Sequence, residues 1–458
     1  MPSVVLNRVE RGRYLDSVAL MRLSRRLAAL PGVENAALMI GTPSNKDLLR
    51  DAGLLGAEGE RAGVNDLVIA VRAADASSAE RALASPFQVE ERRQEGPFPH
   101  ARTLGGALDA LPRANLALIS VPGDFAALEA RKALERGLHA LVFSDNVALE
   151  DELALKRLAR DRGLLLMGPD CGTALIAGTP VAFANAVPRG DIGIVSASGT
   201  GLQEVSCLIA RLGASVSHGI GVGGRDLDER IGALGTLAAI DALESDPGTK
   251  TIVLISKPPA PQVADQVLAR LSRSGKRGVV CFLGLDKPGL ARTLCEAAEL
   301  ATGKKVDEEK LGSKRKITGR VQGLYCGGTL CNEAELIFRR RGLDGHRFID
   351  LGDDRYTRGR PHPMIEPEIR NDHLAAALAD PAVGMILLDV VLGYGSHPDP
   401  AGVLLEKRIA KTVVASVIGT ERDPQIRSRQ VAKLREAGVL VAPSNAHAAE
   451  WAAAMASS

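Results

Sequence analysis

The sequence predicts a multidomain α/β protein built mainly on doubly wound, largely parallel sheets, and three observations carry that reading. Short β-branched runs repeatedly end in glycine clusters and pass into Ala/Leu/Arg-rich helical patterns: ALMIGTP, LALISVPGD, LLLMGPDCG, DIGIVSASGTG, TIVLISKPPAP, GLYCGGT and MILLDVVLG. A buried strand, a glycine turn and an amphipathic helix, in that order, is what parallel sheets impose. Second, glycine is abundant, with 48 in the chain, and all but one of these runs carry it. Third, the chain repeats itself. Aligning GIVSASGTGLQEVSCLIARLGASVSHGIGVGG with GLYCGGTLCNEAELIFRRRGLDGHRFIDLGDD at an offset of 129, without a gap, superposes Gly199–Thr200 on Gly328–Thr329. The same alignment places Glu204 on Glu333, Gly213 on Gly342 and Gly223 on Gly352. Two flavodoxin-like domains of one design follow.

Each segment has its own signature. Residues 1–112 read as a small α+β module, with strand-like stretches at 4–9 and 67–72 around a helix over Tyr14–Ala29, closed by the charged loop ERRQEGPFPH. Residues 113–186 read as a shortened Rossmann-like unit and 187–303 as the first flavodoxin-like domain. GKKVDEEKLGSKRK, with nine charges in fourteen residues, marks 304–318 as a solvated linker before the second such domain at 319–458.

Composition narrows the function. Lys+Arg 57 against Asp+Glu 55 is too balanced for a nucleic-acid or membrane-surface footprint. Aromatics at 3% cannot supply stacking platforms for single strands. No apolar run approaches a membrane span of about 18 residues, and charges stand where a secretory leader needs its apolar stretch. A cytoplasmic protein with reduced cysteines is expected. The six cysteines show no CxxC pair and no adjoining histidines, so no metal site is expected. No GxxxxGK[ST] loop is present.

The strongest candidate site is the pair of Gly-Thr turns. Ser198-Gly199-Thr200-Gly201 and Gly327-Gly328-Thr329 each lead from a strand into a helix, over Leu202–Leu212 and Leu330–Arg341. The first N–H groups of a helix lack partners and carry the positive end of its dipole, and a hydroxyl adds a donor, so phosphate or carboxylate is the expected ligand. Simple helix capping is the alternative. Lys257, after the strand TIVLIS, is a candidate point charge for the same anion. The loop Gly168-Pro169-Asp170-Cys171-Gly172 is either ordinary turn chemistry or a ligand loop presenting Asp170, Cys171 and Gly172. A Cys171 nucleophile finds no histidine within 25 residues. In DLGDDRYTRGRPHP, Asp353, Arg355, Arg358, Arg360 and His362 are either solvated ion pairs or a rigid clamp for carboxylate or phosphate.

GPDCG with GIVSASGTGLQEV resembles the α subunit of succinyl-CoA synthetase, and GLYCGGTLCNEAELIF through DLGDD resembles the C-terminal domain of its β subunit. The arrangement is similar to the FdrA family of acyl-CoA synthetase-like proteins, over 115–458 closely and 1–112 loosely. The resemblance implies succinyl-CoA synthetase-type folds for the two repeated domains and a CoA-binding-like fold for 113–186. It implies that Ser198–Gly201 and Gly327–Thr329 hold a phosphoryl group, with Thr200, Thr329 and Lys257 as catalytic candidates. In that synthetase the two helices converge on a phosphohistidine. Here no histidine lies between 219 and 345, the ATP-grasp half is missing, and so is the Gly-rich half of the CoA-binding domain. The resemblance therefore implies a transferase acting on an acyl or carbamoyl phosphate, of the oxamate carbamoyltransferase type in allantoin catabolism. Its small anionic substrates would be the phosphate donor and a carboxylate or amide acceptor, and it would work with partner subunits and as a homodimer. An ADP-forming acyl-CoA ligase needing an ATP-grasp partner and a non-catalytic metabolite sensor are the alternatives. No cofactor is read from the residues themselves. The resemblance brings CoA, and Mg2+ with a nucleotide on a partner, as candidates.

Overall fold

A computed structural model describes residues 3–13, 15, 17–85, 101–307, 317–357 and 362–456. The chain forms two compact units, residues 1–102 with 354–361, and residues 103–353 with 362–458.

In the first unit, β1 (Val4–Glu10), α1 (Ser17–Ala28), β2 (Val33–Ile40), α2 (Pro43–Asp51), α3 (Ala57–Glu60), β3 (Leu67–Ala73) and α4 (Ala76–Ala84) follow in order. The sheet runs β1-β3-β2, with both neighbours antiparallel to β3. LVIAVRA in β3 is buried almost throughout because it is the central strand. Thr42, followed by Pro43, and Asp75 cap α2 and α4.

The second unit opens with α5 (Leu104–Ala110), then β4 (Leu116–Ile119), α6 (Gly123–Glu135), β5 (His139–Val142), α7 (Leu149–Asp161) and β6 (Leu166–Met167). These strands form a three-stranded parallel sheet. Next come β7 (Thr173–Ile176), β8 (Thr179–Ala182), β9 (Arg189–Ser196), α8 (Gly199–Arg211), β10 (Val216–Gly221), α9 (Leu234–Ser245), β11 (Thr251–Ser256), α10 (Pro261–Ser272), β12 (Arg277–Phe282) and α11 (Leu294–Thr302). Their sheet runs β12-β11-β9-β10-β7-β8. The hairpin β7–β8 joins it antiparallel through Leu175 opposite Gly219, so this sheet begins ahead of residue 187.

After residue 317 follow β13 (Arg320–Tyr325), α12 (Gly328–Arg340), β14 (Arg347–Asp350), α13 (Asp354–Thr357), α14 (Glu368–Ala379), β15 (Val383–Val391), α15 (Pro400–Leu405), β16 (Thr412–Ile418), α16 (Arg427–Glu436), β17 (Leu440–Ala442) and α17 (Asn445–Ala456). Their sheet is parallel throughout, in the order β14-β13-β15-β16-β17, which is the flavodoxin-like 2-1-3-4-5 arrangement. The larger sheet repeats that pattern in β10-β9-β11-β12.

The repeat is structural. Helices α8 and α12 begin at Gly199 and Gly328 and end at Arg211 and Arg340, the same interval apart. Gly213 and Gly342 close them in the left-handed region, at φ +73 and +65. Both helices start two or three residues earlier than their apolar periodicity suggested, because the glycines themselves form the first turn. Helices α8, α11, α12 and α17 pack together and share one apolar core with both large sheets. No described helix is long and apolar enough to cross a membrane.

Candidate functional site

In doubly wound sheets ligands lie beyond the carboxyl ends of strands, where the strand order reverses. The two large sheets have such points between β9 and β11 and between β13 and β15, and the chain brings them together. Ser198 is the N-cap of α8: its Oγ accepts from Gly201 N at 2.9 Å and donates to Thr329 Oγ1 at 2.6 Å. Thr200 packs on the other turn. A Cβ on Gly327 would come to 2.8 Å from Thr200 Oγ1 and Cγ2, so only glycine permits this approach. Thr200 and Thr329 are 9% and 3% exposed. Neither caps its helix, since the caps are Ser198 and Gly327.

Two carboxylates attend the start of α12: Asp389, which the sequence does not single out, and Asp350, the first residue of the DLGDDRYTRGRPHP segment. Asp389, on β15, accepts from Cys326 N and Gly327 N, each at 2.8 Å, and pairs with the buried Arg370. Asp350, at the end of β14, accepts from Gly352 N at 2.9 Å and turns its other oxygen toward Gly328. Burial pushes the Asp350 carboxyl up to about 6, against the pull of the Gly352 N–H and the Lys257 ammonium. A Cβ on Gly328 would lie 3.5 Å from Lys257 Nζ, so Lys257 reaches this point from the other sheet. His362 flanks the same loop with Nε2 toward Gly352, while its Nδ1 accepts from Met364 N at 3.2 Å. Burial pushes its imidazole down to about 4, leaving it neutral.

The other candidates separate. Cys171 is buried, donates to Gly221 O at 3.3 Å, and burial pushes its thiol up to about 12, away from the thiolate that a nucleophile requires. Asp170 adopts φ +56 and is exposed, beside Gly224 rather than at the helix starts. Gly172 meets only the rings of Phe143 and Phe183. Thr173, unremarked in the sequence, is the residue of this loop that approaches α8: a Cβ on Gly199 would sit 3.0 Å from its Oγ1. Asp353 is exposed, Arg355 stacks over Tyr356 and belongs to the unit containing residues 1–102, and Arg358 and Arg360 lie outside the described residues.

A third layer crosses the repeat. Glu204 on α8 accepts from Asn445 N, the first amide of α17, at 2.9 Å. Glu333 on α12 accepts from Leu294 N, the first amide of α11, at 2.6 Å, and from Asn445 Nδ2 at 2.8 Å. Each sister helix therefore fills a helix start in the opposite half. Burial raises both carboxyls, Glu333 to about 7 from the ordinary 4.5. A carboxyl raised on folding contributes stability that is full below its unfolded pKa and is lost as pH climbs to the folded value. The Glu333 contribution should therefore fall between about pH 4.5 and 7 and stay flat above. In urea titrations across that window Glu333→Gln is expected to lessen the fall, and identical slopes in both proteins would remove Glu333 as its source.

Among the described residues no group of His, Cys, Asp or Glu could hold a metal ion. Helix α6, where a CoA-binding fold would present phosphate donors, starts at Gly123 packed on the carbonyls of Asp145 and Asn146.

Residues 324–455 match the family described as CoA-ligase. Residues 3–96 match the family described as AllF, heavy metal-associated domain. That segment contains no cysteine and no histidine, so it carries no thiol or imidazole ligand for a heavy-metal ion. The chain belongs to the family of YahF of Escherichia coli (strain K12), to which it is 43% identical over 94% of its own length and 95% of that protein's. It is 27% identical to succinate–CoA ligase [ADP-forming] subunit alpha 2 of Archaeoglobus fulgidus, over 49% of this chain and 76% of that one. It is 30% identical to the mitochondrial subunit alpha-2 of succinate–CoA ligase from Trichomonas vaginalis, over 43% and 65%. The family is acyl-CoA ligase-like, in agreement with the resemblance carried by GPDCG and GIVSASGTGLQEV.

Proposed function

We propose that this protein transfers an acyl or carbamoyl group from its phosphate to a carboxylate or amide acceptor, without phosphorylating itself, together with partner subunits. The observation behind this reading is the 2.6 Å contact of Ser198 with Thr329, which places two helix starts at one point in a chain lacking any histidine from 219 to 345. The N–H groups and hydroxyls of both starts would hold the phosphoryl oxygens, with Lys257 adding charge. The acceptor nitrogen would attack the carbonyl carbon, the carbon–oxygen bond to phosphate would break, and phosphate would leave into the donors that already hold it. The proton released from the nitrogen would pass to the Asp350 carboxylate, whose raised pKa of about 6 suits a base working near neutrality. Asp353 and His362 would border the acceptor.

The match of residues 324–455 to CoA-ligase favours a second reading, an ADP-forming acyl-CoA ligase completed by an ATP-grasp partner. Phosphate release from carbamoyl phosphate and acetyl phosphate, measured with amide and carboxylate acceptors and with and without partner subunits, separates the two. Turnover without ATP or CoA and no phosphoryl group in the intact mass is expected. Strict dependence on ATP and CoA with a phosphorylated side chain would favour the ligase. No turnover under any combination would leave a metabolite sensor.

A further inference from the structure

The repeat exposes an asymmetry. Arg211 and Arg340 are the last residues of α8 and α12 and occupy equivalent places. Each donates through Nη1 to the carbonyl two residues ahead of a helix of the opposite half: Arg211 to Pro443 O at 2.7 Å, Arg340 to Arg292 O at 3.1 Å. Arg340 then meets a carboxylate, Asp286, at 2.8 Å. Among the described residues Arg211 forms no ion pair. A second guanidinium, Arg427, stands near it instead, its Nε donating to Val417 O at 3.1 Å.

We propose that Arg211 and Arg427 form a binding site for a diphosphate-bearing anion, separate from the helix starts at Ser198 and Thr329. Both line a cavity of about 460 Å³, with Lys305 and Arg435 adding positive charge and Val306 and Val431 an apolar wall. The volume falls within the range of about 300–1,000 Å³ typical of ligand pockets. Two cations pinned by backbone carbonyls in one cavity repel each other, and an anion between them relieves that repulsion. Burial and the neighbouring Arg211 push Arg427 down to about 10, in keeping with that crowding. Planar guanidiniums suit phosphate oxygens in paired contacts, and two of them suit two phosphates. The place is also apt. Val417 and Pro443 stand at the carboxyl ends of β16 and β17, and Arg427 is the first residue of the ten-residue α16, whose amides open toward that end. Asp307 also lines the cavity, Lys305 pairs with Glu299 at 2.5 Å, and Glu204 and Glu421 act on Arg427, so these carboxylates offset part of the positive charge.

The ligand could be free pyrophosphate or the diphosphate of a nucleotide, and calorimetry with pyrophosphate, ADP and AMP in physiological salt separates them. Pyrophosphate or ADP should bind with a dissociation constant below about 1 mM and AMP clearly more weakly, since a single phosphate meets only half the site. Arg211→Gln and Arg427→Gln are each expected to weaken binding at least about tenfold, and Arg340→Gln to leave it unchanged. ADP binding tighter than pyrophosphate assigns a nucleotide, and equal binding assigns the bare diphosphate; both support the site. Because the Gln variants also lose a tie to a carbonyl, phenylglyoxal labelling of the unaltered protein gives an independent reading by peptide mass. Pyrophosphate should protect Arg211 and Arg427, not Arg340, and should still do so in Thr329→Val. Protection of neither arginine at 10 mM pyrophosphate (about ten times that upper limit), or undiminished binding in both Gln variants, would overturn the proposal.

Discussion

Thr200→Val and Thr329→Val are each expected to slow turnover at least about tenfold, a barrier change of roughly 1.4 kcal/mol, in protein that remains folded. Valine keeps the shape of threonine and removes only the hydroxyl. Capping cannot account for such a loss, because the caps are Ser198 and Gly327 and both threonines lie inside the first turn. For Thr329 the structural cost is the contact with Ser198 Oγ, a hydrogen bond worth about 0.5–1.5 kcal/mol of stability. If the hydroxyls hold a transferring phosphoryl group, the loss appears in rate, where removing one such donor costs on the order of 100- to 1000-fold. The double variant should be less than additive, since both hydroxyls serve one anion. Steady-state rates set beside melting temperatures decide the matter. Normal rates with lowered melting temperatures would confine both residues to packing.

Lys156→Met should destabilise the protein by about 3–5 kcal/mol, the loss that follows when a buried ion cluster is broken from one side. Lys156 is 2% exposed, and its Nζ lies 2.5 Å from Asp226 Oδ1, 2.9 Å from Val222 O and 3.1 Å from Glu152 Oε1. Asp226 in turn accepts from Gly235 N and Thr236 N at the start of α9, and Arg225 reaches Glu152 at 2.7 Å. The cluster ties α7, beside the three-stranded sheet, to the turn after β10. Methionine fills the volume of the lysine stem but leaves two buried carboxylates with one fewer counter-charge. Urea unfolding monitored by circular dichroism should show the loss, and Lys156→Met with Glu152→Gln should recover part of it. An unchanged midpoint would mean that water already reaches the cluster.

The fold was largely legible because its signals are local. Strands ending in glycine announce themselves within ten residues, and the alignment of Gly199 with Gly328 anticipates two helices that share both ends. The convergence of Ser198 and Thr329 was legible through that repeat. What escaped the sequence depends on distant partners. Asp350 and Asp389 look like loop and strand-end acids until β14 and β15 flank β13. Lys156 and Glu152 look like a solvated i,i+4 pair on α7 until Asp226, seventy residues on, buries them. The hairpin β7–β8 is too short and mixed to read as strand before β10 offers an edge.

The crossing of Glu204 and Glu333 between the two halves bears on assembly. Produced alone, residues 113–303 would leave Glu204 without Asn445 N and Leu294 N without its acceptor. Residues 319–458 alone would keep the bond from Asn445 Nδ2 to Glu333 but lose the acceptor of Asn445 N and the Leu294 amide that Glu333 accepts from. Each half is thus an unfinished object whose missing piece is carried by the other. Two such fragments mixed in solution would behave as obligate subunits of a heterodimer, and joining them in one chain fixes their ratio at one to one.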